Sequence, residues 1–173
     1  MVEFALVIPL LVTVLLGIID FGIIYNGWIS LRQGTREAAR QGSVANFGMS
    51  ASCTLTFAGG GSVPSTDLQK LMCLAKNQIG LDATATRIKV LVSDYALQNG
   101  GASWSVGNGL IVCAQYPSGS QTGFFGSLLS GHYLRTKTAI RIEQPASSPE
   151  TEGFETDQSG GGWSWCSASA SSP

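Results

Sequence analysis

The chain has 173 residues, and Lys+Arg (10) nearly balance Asp+Glu (11) at a net charge of -1. That length suits one small domain plus an anchor and is too short for two full domains with separate cores. Charged residues are only 12% against 44% hydrophobic, about half the usual charged share, which implies a surface covered in part by lipid or neighbouring subunits. No basic block marks a nucleic-acid footprint, so no nucleic-acid partner is expected.

From Phe4 to Ile19 the chain is uncharged and apolar, Asp20 follows, and basic charge first appears at Arg32. A bilayer span needs about 20 predominantly apolar residues, and Phe4–Leu31 exceeds that if one Asp is tolerated. The run is too long for a signal-peptide core and carries no A-x-A cleavage site, so it reads as a retained helix. Arg32, Arg36 and Arg40 then recur at i, i+4 spacing, which continues the helix through residue 45. A helix of that size is about 60 Å long, twice the hydrocarbon thickness, so its outer half must project or pack on something. Within it, Glu3 stands at the edge of the apolar run, where a carboxylate seeks a partner or water. Asp20 marks the end of the span or pairs with a neighbouring Arg, and Pro9 is expected to kink the helix.

The segment VEFALVIPLLVTVLLGIIDFG followed by TREAARQGSV resembles the N-terminus of TadE-like pseudopilins of the tight-adherence (Flp-type) pilus machinery. The family shows a Glu-Phe start, a proline-containing apolar run, Asp-Phe-Gly and an Ala/Arg/Glu-rich stretch; Asp20-Phe21-Gly22 alone, without other kinase features, is uninformative. The resemblance implies a helix held first in the bacterial inner membrane, a leader removed by a prepilin peptidase, and packing into a filament with copies of itself and other pilins. It also implies that Glu3 neutralises a neighbour's N-terminal amine, although only Met1 and Val2 precede Glu3 where the family has four mature residues. Arg32, Arg36 and Arg40 alone would hold the following residues in the cytoplasm. The family orientation is the reverse, and the cysteines agree with export.

Residues 46–144 form the expected head. Phe47–Pro64 is small and Gly-rich, with Gly59-Gly60-Gly61-Ser62, and reads as loop. Thr66-x-x-Gln69 fits a capping box, and Leu68, Leu71, Met72, Ala75 and Ile79 make one apolar helical face ending at Gly80. Strands are expected at Thr86–Val92, Leu110–Tyr116 and Tyr133–Glu143, with a short helical turn at Phe124–Leu129. The expected fold is α+β: a long hydrophobic stem helix and a head of one helix and a three-stranded antiparallel sheet. One sheet face would be apolar under the helices and the other polar.

Residues 145–173 compose as an extended Gly/Ser-rich extension, but Trp163, Trp165 and Cys166 argue that part of it is pinned. Cys53, Cys73, Cys113 and Cys166 lack the close pairing of zinc ligands, so no metal is expected. Two disulfides in an oxidising compartment suit them. A Cys53–Cys73 bridge would close a loop onto a helix and a Cys113–Cys166 bridge would tie the extension to the middle strand, yet all three pairings stay open.

No chemistry stands out. His132 is the sole histidine, without a nucleophile elbow or acidic pair, and the glycine run lacks the Lys-Ser/Thr of a phosphate loop. The expected function is therefore a non-enzymatic, cofactor-free filament subunit supporting adhesion, on the cell surface after assembly. The other reading is a single-pass, membrane-anchored extracellular binding module.

Overall fold

The computed structural model describes residues 2–47, 53–57, 60–62, 66–94, 101–120, 122, 123, 125–147 and 150–168, with residues 2–5 and 60–62 described by backbone alone. Helix α1 runs Val2–Ser43 without interruption, 42 residues with Pro9 inside, about 63 Å at 1.5 Å per residue. Apolar residues persist through its first half, and the Ala/Arg/Glu-rich stretch, good helix formers, carries it onward. It ends where Ala45 turns left-handed at φ 50° and its amide donates back to the Gly42 carbonyl at 3.0 Å.

Strands β1 (Leu55–Phe57) and β2 (Gly60–Ser62) form a small antiparallel ribbon within the stretch expected as loop. Helix α2 spans Asp67–Ile79, and the Thr66 hydroxyl accepts from the Gln69 amide at 3.3 Å, while Gly80 closes the other end at φ 67°. Both ends lie where the capping residues put them. Strands β3 (Arg87–Ser93), β4 (Gly109–Pro117) and β5 (Tyr133–Arg141) pair antiparallel, and the short helix α3 (Gly126–Leu129) bridges the last two.

A fourth strand corrects the three-stranded expectation. β6 (Glu152–Phe154) comes from the C-terminal extension and pairs with β3, so the order is β5-β4-β3-β6. Three residues without periodicity carry no strand signal of their own; their partner strand supplies it. The polar-face expectation is corrected in part: Arg135, Lys137 and Arg141 keep the β5 edge of the outer face polar, but its centre is apolar and covered. On the inner face Ile88, Val90, Leu110 and Val112 pack under Leu31, Leu68 and Leu71 of the two long helices. On the outer face Leu91, Ile111 and Cys113 are buried beneath Cys166, Trp163 and Trp165 of the extension. An antiparallel sheet leaves one face wet only if nothing apolar can cover it; here the extension does.

The extension is also held by charge. Glu155 is wholly buried, accepting from Lys76 Nζ at 2.7 Å and from the Thr56 and Ile88 amides at 2.8 and 2.9 Å. One carboxylate thus ties α2, β1 and β3 to the segment after β6. Every acceptor position it uses faces a donor, the condition under which a buried ion pair is tolerated.

Candidate functional site on the stem

The first half of α1 packs on almost nothing. Leu6, Leu10, Val14 and Ile18 are each more than half exposed, and the helix is apolar and long enough to cross a membrane, with only 6% of its most apolar window buried. From Leu31 onward the helix instead seats on the head. Small residues make that seat possible. A Cβ on Gly34 would stand 2.5 Å from the Ile79 Cα, and one on Gly42 would stand 2.7 Å from a Leu110 methyl. Gly34, Ala38 and Gly42, four residues apart, therefore line the close-packed stripe, and Thr35 beside them reaches Thr138 of β5 at 3.4 Å. The sequence signal of this stripe is a small-x-x-x-small repeat at residues 34, 38 and 42.

Asp20 lies at the junction of the two halves. It is only 2% exposed, although the apolar residues around it on the helix are open. The cover comes from the β4–β5 connection. The Ser120 and Thr122 hydroxyls donate to one Asp20 oxygen at 2.6 and 2.7 Å, and the Thr122 amide donates to the other at 3.0 Å. The connection is closed at its neck, where Ser118 donates from its amide and hydroxyl to the His132 carbonyl at 2.9 and 2.8 Å. Asp20 thus meets neutral donors of its own chain. Sequence reasoning had no means to find Ser120 and Thr122, a hundred residues away.

Above Asp20 an aromatic and cationic ladder climbs the exposed side. Tyr25 stacks on Trp28 with centroids 6.1 Å apart, and the Arg32 guanidinium lies 5.2 Å from the Trp28 ring. Amphipathic rings beside a cation are the side chains favoured at a membrane–water boundary. Arg36 is exposed on the same side. Arg40 pairs with Glu37 at 2.9 Å; the Arg40 hydrogen bond, and then that of Gln41, hold the Glu37 carboxyl down at about 2. Helix α1 passes through Glu3, whose side chain lies outside the described residues.

Residues 1–40 match the family model of TadE-like proteins. Over these residues the stem is similar to TadE-like proteins. The match ends within α1, so it covers the exposed apolar half and the start of the seat and says nothing of the head. No curated protein and no solved structure matches the chain.

Behind the TadE-like stem, both disulfides of the head form. Cys53 bonds Cys73 and Cys113 bonds Cys166, with Cα separations of 5.7 and 6.1 Å. Of the three pairings open to the sequence, the fold selects the one that fixes a loop to α2 and the extension to β4. His132 is exposed at the start of β5, and among the described residues no three His, Cys, Asp or Glu side chains cluster to hold a metal.

Proposed function

We propose that the protein is a structural, non-catalytic subunit of a tight-adherence type pilus, either a pilin or a minor pseudopilin, that supports adhesion. The observation that carries this reading is the division of α1. A TadE-like apolar half stands bare beyond a head that the other half already completes. A bare stem of that kind needs a bilayer or the stems of other subunits, and a filament subunit uses first one and then the other. The disulfides favour a head outside the cytoplasm, with the stem in the inner membrane before assembly and the filament at the cell surface after it. A prepilin peptidase and the pilus assembly machinery are the partners this path requires.

Within this reading Glu3 meets a neighbour's N-terminal amine in the filament core. Asp20 needs no neighbour for its charge, because Ser120 and Thr122 supply donors. Arg32 and Arg36 stay available on the exposed side for acidic groups of adjacent subunits.

Shearing expressing cells and examining the released material by electron microscopy and intact mass spectrometry tests the proposal. Filaments that contain this chain support it. A chain confined to the membrane fraction, with no trace in sheared filaments, rejects a filament-building pilin and leaves the minor pseudopilin or an anchored binding module; pilus assembly that continues unchanged when the chain is deleted then selects the module. That second reading has one observation of its own, a cleft of about 1320 Å³ beside β6 lined in part by Lys89, Phe154 and Trp163. Glu3→Ala is expected to insert in the membrane and fail to enter filaments. Normal filament yield from that variant removes Glu3 from assembly.

A further inference from the structure

The connection between β4 and β5 does more than cover Asp20. From Ser118 to Gly131 it has no charged residue. It runs down the stem past the level of Asp20, where Phe125 comes within 3.5 Å of the position a Gly17 Cβ would take. Among its described residues the most prominent side chain is Leu128, 73% exposed. Between it and the stem lies an open groove of about 600 Å³, lined by Val14, Ile18 and Phe21 on one side and Phe125, Leu128 and Leu129 on the other.

We propose that this connection is a membrane-inserting finger, which sinks Leu128 and Phe125 into the head-side leaflet beside the stem and offers the groove to a lipid acyl chain. The inference rests on the reading of α1 as a membrane stem before assembly. Three observations favour lipid as the occupant. The groove is continuous with stem residues that are themselves bare, such as Val14 and Ile18, 54% and 63% exposed. The finger carries no charge to desolvate, whereas a charged side chain at that depth is costly. Two of its polar side chains, Ser120 and Thr122, are turned inward onto Asp20, while Leu128 faces outward. The arrangement is that of an interfacial element, whose apolar face enters the boundary between headgroups and acyl chains by about 5–10 Å. Tyr25 and Trp28 stand on the head side of it, where such rings settle.

The test uses the full chain reconstituted in vesicles of phosphatidylcholine and phosphatidylglycerol. A nitroxide is attached singly at Leu128→Cys, Ile19→Cys or Val106→Cys, with intact mass confirming that both native disulfides remain closed. Accessibility to oxygen, which concentrates in lipid, is compared with accessibility to a water-soluble nickel chelate. Ile19 reports on the stem, and Val106, exposed on the head at 60%, reports on water. The expected result is an oxygen-to-nickel ratio at Leu128 several-fold above that at Val106 and close to that at Ile19. A water-like ratio at Leu128 with a lipid-like ratio at Ile19 overturns the finger and leaves the membrane stem intact. Water-like ratios at both positions overturn the finger together with the stem on which it rests. Exclusion of both reagents at Leu128, with spin–spin broadening that fades on dilution by unlabelled chain, assigns the groove to a second copy and overturns lipid as its occupant.

Discussion

Asp20 keeps a carboxylate beside an apolar stem because three hydrogen bonds converge on it from Ser120 and Thr122. An unsatisfied buried polar group costs about 1–3 kcal/mol, so the connection that supplies these donors and the aspartate that accepts them stabilise each other. Asp20→Ala is expected to lower the unfolding free energy by about 1–3 kcal/mol and to loosen the Ser118–Gly131 connection. Hydrogen exchange at the Thr122 amide reads the second effect directly, and unchanged protection there removes Asp20 as its anchor. The buried pair of Lys76 and Glu155, 1% and 0% exposed, obeys a harsher rule. Lys76→Met leaves the Glu155 charge alone in the core and is expected to cost about 3–5 kcal/mol. The double variant Lys76→Met/Glu155→Gln recovers much of that loss, and chemical denaturation of both variants in parallel measures the difference.

The stem and head meet along one helix face, and glycine decides how closely. The Gly34 backbone approaches the Ile79 backbone so tightly that a single methyl group has no room. Gly34→Ala must push α1 and α2 apart, at an expected cost of about 1–3 kcal/mol. Gly22 lies on the same helix with nothing within 4 Å of a Cβ placed there, so Gly22→Ala gains helix propensity, worth about 1 kcal/mol, without a clash. Thermal unfolding of the two variants in one detergent separates the effects, since opposite shifts in midpoint are expected. Equal shifts refute the close-packed seat. The Gly34 site also explains why a stem with so little amphipathic contrast docks at all: backbone approach replaces the broad apolar stripe that a surface helix normally uses.

At the scale of the molecule, the extension makes the sheet two-sided. The Cys113–Cys166 bridge spans 53 residues of sequence, and closing a loop of that size restricts the unfolded chain by about 4 kcal/mol in the chain-entropy account. Cys113→Ala/Cys166→Ala is expected to lose about 2–4 kcal/mol and to release the segment from Gly161 to Ser167 to limited proteolysis. The Cys53→Ala/Cys73→Ala variant is expected to keep that segment protected. Mass mapping of the first fragments distinguishes them, and an extension still protected without its disulfide would show that the β6 ladder and Glu155 hold it alone.

The sequence by itself determined the stem, because both a long apolar run of helix formers and its similarity to TadE-like proteins are written in consecutive residues. It also determined α2, whose caps at Thr66 and Gly80 are local chemistry, and β3 to β5, whose alternation survives any packing. Only the tertiary structure decided what depends on residues far apart. Asp20 met Ser120 and Thr122 across a hundred positions, and Lys76 met Glu155 across 79. β6 became a strand because β3 offered an edge, and one of three cysteine pairings was chosen by which thiols the sheet and extension brought together. Local pattern fixes what the backbone next to it does; a buried charge, a short edge strand or a disulfide takes its energy from a distant partner, and no window of sequence contains both.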